Sequence, residues 1–387
     1  MNNDRRPETI AAADGIGQDV AFGALAPPLY LTSSYRFTGF ENPGPYDYSR
    51  SCNPTRDQLA RTLAKLEHGA GAIVVSSGMA AIDLVLSLLE PGDRVVAPHD
   101  CYGGTFRLLK LRAEKRQFEV TFVDQGNEAA LDSALAQRPK LLLIETPSNP
   151  LMRVVDISIL AAKAKAVGTK VAADNTFLSP ALQQPILLGA DFVIHSTTKY
   201  LNGHSDVIGG AVVAADEADA AALLKWAGIT GVTGSPFDAY QTLRGLRSLF
   251  PRIERQQRSA GLIASFLEAH PCIEAVHYPG LASHPGRAIA VKQQRGFGAM
   301  LSFEIAGGRD GVKHFAESVR IFTLAESLGG VESLVAHPAT MTHADMGSDA
   351  RRAAGIQDNL LRLSIGLESE QDLIEDLTQA LDRASFS

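Results

Sequence analysis

The sequence predicts an α/β protein built on a mostly parallel sheet. Three observations lead there. Short β-rich runs alternate with helix-patterned ones along the first 200 residues. Polar, chemistry-bearing residues follow one strand after another, at the edge where open α/β sheets gather ligands. The chain of 387 residues has room for about two domains and a large core.

The elements can be justified in chain order. An irregular segment with proline and glycine comes first. A helix is expected from about Pro54, because Leu59, Leu63 and Leu66 recur at helical spacing and HGAG (68–71) stops it. AIVVSS (72–77) reads as a strand, MAAIDLVLSLLE (79–90) as a helix and PGD (91–93) as a turn. RVVAP (94–98), FEVTFV (118–123) and KLLLIET (140–146) are further strands. VDISILAAKAKAVG (155–168) is a helix closing on glycine, followed by strands TKVAADN (169–175) and ADFVIHS (190–196). A long helical stretch from Phe237 to Ser265 leads into a second part, with a strand at GAMLSFEI (298–305) and a helix at LIEDLTQAL (373–381). No internal repeat or low-complexity linker occurs, so the parts are expected to pack together.

Composition narrows the function. The 45% hydrophobic and 20% charged fractions suit a folded globular chain. No apolar run reaches the roughly 18 residues of a membrane span, and MNNDRRPETI lacks the apolar core of a secretory signal. Cys52, Cys101 and Cys272 form no disulfide framework or Cys-x-x-Cys, which points to a reducing cytoplasm. A net charge of -7 speaks against nucleic acid and requires local arginines for any anionic substrate.

The strand ends carry the chemistry. After AIVV come Ser76, Ser77 and Gly78 at a helix start, where free N–H groups and the helix dipole suit a phosphate. After RVVAP comes HDCYGG (99–104), after KLLLI comes ETPSN (145–149), after TKVAA come Asp174 and Asn175, and after DFVI come Ser196, Thr198 and Lys199. Lys199 is expected to be buried, and a buried ammonium is costly unless paired or converted. Singly, these are ordinary caps, packing groups and loop residues. Jointly they match pyridoxal phosphate: a lysine for the Schiff base, a carboxylate for the pyridine nitrogen, hydroxyls and amides for the phosphate, and Tyr102 to stack on the ring.

Other motifs fail. Gly69-x-Gly71 precedes a strand where a dinucleotide loop would follow one. Val207 stands where the elbow Gly203-His204-Ser205 would need its final glycine. His337 and His343 lack further ligands and read as structural, so no metal is expected.

SSGMAA, DCYGGT, ETPSNP, ADNTF, HSTTKYLNGHSD, LAESLGGVESL and LRLSIGLE resemble, in order, the motifs of the Cys/Met-metabolism family of pyridoxal-phosphate enzymes, from about Pro27 to Leu381. The resemblance implies the fold type I (aspartate aminotransferase-like) α/β architecture: a large domain with a mostly parallel seven-stranded sheet plus a smaller C-terminal α/β domain. It implies an N-terminal arm (1–55), a cofactor-binding domain (56–245) and a C-terminal domain (246–387). Lys199 would bind the cofactor and move protons, with Tyr102 stacking and assisting as a base. Asp174 would hold the pyridine nitrogen, and Gly78, Met79, Ser196 and Thr198 the phosphate. Tyr48 and Arg50 would reach the phosphate of a neighbouring subunit in a homotetramer, a dimer of dimers. Arg362 would grip the substrate α-carboxylate, assisted by Asn149 and Ser327, and Arg50 or Arg107 would hold a distal carboxylate.

Two departures from the family pattern touch the distal end of the substrate: Cys52 replaces a usual glycine, and Ser51 a second arginine found in some synthases. Glu326 stands where the family's β-lyases tend to carry an aromatic residue, which implies chemistry at Cγ. The expected reaction is γ-replacement, joining cysteine to O-succinylhomoserine (or its O-acetyl analogue) to give cystathionine. The alternative is γ-elimination of cystathionine to cysteine, 2-oxobutanoate and ammonia.

Overall fold

The structure, a computed structural model, describes residues 5–384. Its strands form a seven-stranded and a five-stranded sheet. The first comprises β1 (Gly71–Val75), β2 (Arg94–Pro98), β3 (Glu119–Val123), β4 (Leu141–Glu145), β5 (Lys170–Asp174), β6 (Phe192–Ser196) and β7 (Gly210–Ala214). The second comprises β8 (Ile273–His277), β9 (Met300–Ile305), β10 (Thr323–Leu324), β11 (Leu334–Ala336) and β12 (Leu360–Ser364). The chain divides into two compact units, residues 1–90 with 170–250, and residues 91–169 with 251–387.

In the first unit β5 and β6 pair in parallel, β7 runs antiparallel to β6, and β1 pairs antiparallel with β7. Val193, Val212 and Val213 are fully buried, as near-continuous apolar strands require when both faces are covered. The helix Pro54–Glu67 buries Leu59, Leu63 and Leu66. Asn53 caps it, accepting from the amides of Thr55 and Arg56, and Pro54 fills the first position, where no N–H is needed. His68 ends it in the left-handed conformation at φ 61°.

In the second unit β2 lies between β3 and β4, all parallel. β4 buries Leu141 to Ile144, whereas β3 alternates exposed and half-buried residues up to the buried Val123, as an edge strand does. The smaller sheet is mixed: β10 and β11 run parallel, and β11, β12, β9 and β8 pair antiparallel in turn.

The structure departs from the sequence expectation at three places. β7 went unread, because GAVVA opens on the second of two successive glycines and looks like loop. The helix expected over 79–90 spans Gly78–Leu86, with Leu88 and Leu89 donating to the carbonyls three residues back in a tightened last turn. The stretch from Phe237 to Ser265 is two helices, Pro236–Leu246 and Leu249–Glu268. Pro251 explains the break: one continuous helix would drive its ring into the Arg247 carbonyl, whereas the first turn of a new helix accepts it. Among the described residues no helix is long and apolar enough to cross a membrane.

Candidate active site

In the first unit, β6 runs directly into a tight turn. The Asn202 amide donates to the Thr197 carbonyl at 3.0 Å, and the Gly203 amide to the Lys199 carbonyl at 2.8 Å. Thr197 and Tyr200 are buried on either side, while Lys199 itself is half-buried. The expected burial therefore belongs to the neighbours of Lys199, which pin the turn and leave the amine partly open.

Ser77 caps the helix Gly78–Leu86, its Oγ accepting from the Ala80 amide at 3.1 Å. Gly78 and Met79 open the first turn, whose amides have no partner within the helix. The fit is close enough to demand glycine. A Cβ on Gly78 would sit 2.7 Å from the Ser196 Cβ, one on Gly210 would sit 2.1 Å from the Ser77 carbonyl oxygen, and one on Gly209 2.5 Å from Thr197 Oγ1. Thr198 Oγ1 is held by Gly209, accepting from its amide at 3.0 Å and donating to its carbonyl at 3.2 Å. Gly78, Ser196 and Thr198 thus lie close together beside the positive end of a helix dipole.

Asp174 ends β5 and accepts from the Thr176 amide at 3.0 Å. Burial pushes its carboxyl above the usual carboxylate range; the bonds from Thr176 and the charge of His195 pull the other way. The next residue, Asn175, joins a fully buried cluster unforeseen from the sequence. Glu67 Oε1 accepts from Asn175 Nδ2 at 2.8 Å and bonds His195 Nε2 at 2.7 Å. Glu67, Asn175 and His195 are all inaccessible to solvent. Glu67 stands just before HGAG, where a helix-end carboxylate ordinarily reads as solvated, so the sequence carried no signal for it.

In the second unit, the loops after β2 and β4 are tied together. Asp100 Oδ2 accepts from Ser148 Oγ at 2.8 Å and from Arg153 Nη1 at 3.0 Å. Glu145 Oε2 accepts from the Tyr102 amide at 2.9 Å, and Oε1 from the Asn149 amide at 3.1 Å. The peptide bonds before Pro147 and Pro150 are cis. Tyr102 is 39% exposed and so presents a ring face rather than filling the core. Arg362, on β12, is 2% exposed; Nη1 donates to Asn149 Oδ1 and Nη2 to the Ser327 carbonyl, both at 2.9 Å. Ser327 holds φ at 97°, an uncommon region for a non-glycine residue and typical of constrained sites.

His343, expected to be merely structural, joins this group. Its Nε2 lies 3.0 Å from the Asn149 carbonyl oxygen and its Nδ1 2.9 Å from Thr342 Oγ1. Burial first, then the nearby Arg362, lowers its pKa to about 4. The neutral ring thus donates at Nε2 and accepts at Nδ1. The segment carrying it is anchored by Met346 and Ile356, which pack with Leu151 and Leu360.

The remaining candidates are exposed. Arg107 lies on the helix Gly103–Glu114 and Glu326 just after β10. Tyr48 is 46% exposed, and the Arg50 guanidinium carbon sits 5.7 Å from its ring centre; Arg50 also donates to the Gly228 carbonyl. Burial raises the pKa of the half-buried Cys52 thiol. It is therefore not an activated thiolate.

The model of the family described as Cys/Met metabolism PLP-dependent enzymes matches residues 8–382. The chain belongs to that family. It is 53% identical over 382 residues to a cystathionine gamma-synthase of Escherichia coli K12, covering 98% of this chain and 99% of the relative. It is 45% identical to a cystathionine beta-lyase of Lactococcus lactis subsp. cremoris, over 95% and 97% of the two chains. A crystal structure of cystathionine gamma synthase from Xanthomonas oryzae pv. oryzae in complex with cystathionine superposes with a TM-score of 0.98 at 55% identity, covering 99% of each chain. A cystathionine gamma-lyase from Lactobacillus plantarum gives 0.95 at 38% identity, covering 98% of this chain and all of the other. The architecture is that of the fold type I pyridoxal-phosphate enzymes, and pyridoxal phosphate is the cofactor.

The residues present fit that cofactor. Gly78 and Met79 open a helix whose first amides have no partner within it, an N-terminus suited to a dianion. Asp174 is a carboxylate whose charged form burial disfavours, so a protonated ring nitrogen against it would stabilise both groups.

Proposed function

We propose that this chain is a γ-replacement enzyme that joins O-succinyl-L-homoserine, or its O-acetyl analogue, to L-cysteine, giving L-cystathionine and the free acid. The observation that carries this reading is the 53% identity to a cystathionine gamma-synthase across nearly the whole chain.

The residues divide the work. Lys199 would hold the cofactor through Nζ, and the same Nζ would take the substrate's Cα proton and then serve at Cβ. Tyr102 covers the ring face and assists these transfers. Asp174 holds the ring nitrogen protonated. Bound pyridoxal phosphate supplies the electron sink that makes Cα–H, and in turn Cβ–H, acidic. Gly78 and Met79 offer amides, and Ser196 and Thr198 hydroxyls, to the phosphate; Thr198 must turn its proton from Gly209 to do so. Arg362 and Asn149 grip the substrate α-carboxylate, with Ser327 beside them and Glu326 at the rim. Departure of the acyl carboxylate from Cγ opens that carbon to the cysteine thiolate, and proton return to Cβ and Cα completes cystathionine.

Arg107, and Arg50 of a neighbouring copy, hold the distal carboxylate in this reading. The arm (1–55) would carry Tyr48 and Arg50 to that neighbour's phosphate in a homotetramer, with the cofactor domain over 56–245 and the C-terminal domain over 246–387. A cytoplasmic location suits the three free cysteines. γ-Elimination of cystathionine is the second reading, supported by the fold shared with a gamma-lyase.

Borohydride reduction of the holoenzyme tests the assignment of Lys199. The cofactor mass should appear on the peptide containing Lys199 and vanish in Lys199→Ala; its appearance on any other lysine would refute the assignment.

A further inference from the structure

The carboxylate of Glu145 has no role in the reaction described above, yet it touches both halves of the substrate machinery in the second unit. Its two oxygens accept from two main-chain amides on different loops: Tyr102, after β2, at 2.9 Å, and Asn149, after β4, at 3.1 Å. Only a group with two acceptors and no donor satisfies two converging N–H groups. Among side chains that is an ionised carboxylate; Gln and Asn would turn an NH2 against one amide, and Ser or Thr would bring a hydroxyl proton. Aspartate, one methylene shorter, would reach at most one.

Asn149 is held from three sides. Its amide is on Glu145, its carbonyl oxygen faces His343 Nε2, and its Oδ1 accepts from Arg362 Nη1. The guanidinium has no acceptor to offer, so Oδ1 must face it.

We propose that Glu145 is a positioning residue that couples the ring-covering Tyr102 to the carboxylate-binding pair Asn149 and Arg362. The proposal rests on the roles given above to Tyr102, Asn149 and Arg362. Beside the tie from Asp100 to Ser148, this carboxylate joins the two loops at Tyr102 and Asn149 themselves, so a disturbance there registers at the cofactor face and at the α-carboxylate together. Glu145 acts through the amides it holds.

The test compares the wild-type holoenzyme with Glu145→Gln and Glu145→Asp. The readouts are the visible circular dichroism of the bound cofactor and the KM and kcat for O-succinylhomoserine with saturating cysteine. All are taken at least 20 °C below each protein's melting temperature. Glu145→Gln should change the dichroic band and raise KM tenfold or more. Glu145→Asp should change one of the two and spare the other, and it carries the test if the Gln variant does not fold. Unchanged dichroism and a KM within twofold in the folded variants would overturn the proposal, as would a lowered melting temperature as the sole effect. Arg362→Lys is the reference. A raised KM there with unaltered Glu145 variants sinks only the coupling, whereas an unchanged KM there sinks the carboxylate assignment as well.

Discussion

The two units hold their candidate residues with different materials. In the first, the cradle at the helix start rests on glycine: Gly78, Gly209 and Gly210 let β6, β7 and a helix start approach to distances that no Cβ would allow. In the second, Tyr102, Asn149 and Arg362 are held through side chains, chiefly Glu145, His343 and Asn149's own side-chain amide. A backbone cradle has no slack, so its failures should be structural. A side-chain network can lose one member and keep its fold, so its failures should be kinetic.

The largest effect should come from Gly210→Ala, where the new methyl would lie 2.1 Å from the Ser77 carbonyl oxygen and press on the Ser77–Gly78 peptide, which is backbone throughout. A loss of more than about 4 kcal/mol is expected, enough to deplete folded, cofactor-binding protein. Normal expression and cofactor content in that variant would refute the rigid-cradle description. Glu67→Ala comes next. It strips the fully buried His195 and Asn175 of their shared acceptor and should cost about 3–5 kcal/mol in urea unfolding. A cost under 1 kcal/mol would show that the buried cluster contributes little.

Acid should strike the second unit through its buried histidines. The pKa values of His343 and His284 both fall to about 4, chiefly by burial. A histidine with a depressed native pKa binds fewer protons folded than unfolded. Its contribution is therefore full above the unfolded value of about 6.5 and is lost as pH falls towards 4, at most about 3 kcal/mol for each. Melting temperature should drop across that window, and less steeply in His343→Gln, where the amide can replace the Nε2 donor. Parallel profiles for the two proteins would remove His343 from the account. The smallest effect should be Arg362→Lys. A lysine keeps the charge but loses the fork to Asn149 and Ser327, so KM should rise about tenfold to thirtyfold, roughly 1–2 kcal/mol, with little change in melting.

Much of this was legible in the sequence, and the rest was hidden for identifiable reasons. β1 to β6 were readable within a residue or two because apolar β-branched runs ended at glycine or polar punctuation. β7 was not, because two glycines that serve the cradle look like a turn. The residues at the strand ends, from Gly78 to Lys199, could be found by asking where ligands collect on such a sheet. Glu67 and His343 could not: their meaning depends on partners 128 and 194 residues away in sequence, and a lone charge on a helix end or loop carries no periodic signal. Glu145 was visible as a polar strand end but silent about its role, because both its partners are main-chain amides, which every residue but proline possesses.

The most direct test of the central claim is a product assay on the purified holoenzyme with two reactions side by side. One holds O-succinylhomoserine and cysteine, the other cystathionine alone. The account predicts rapid cystathionine formation in the first and little turnover in the second. Rapid release of cysteine, 2-oxobutanoate and ammonia from cystathionine, with slow synthesis, would contradict it and make γ-elimination the reaction. Pyruvate and homocysteine would place the chemistry at Cβ and overturn the reading of Glu326.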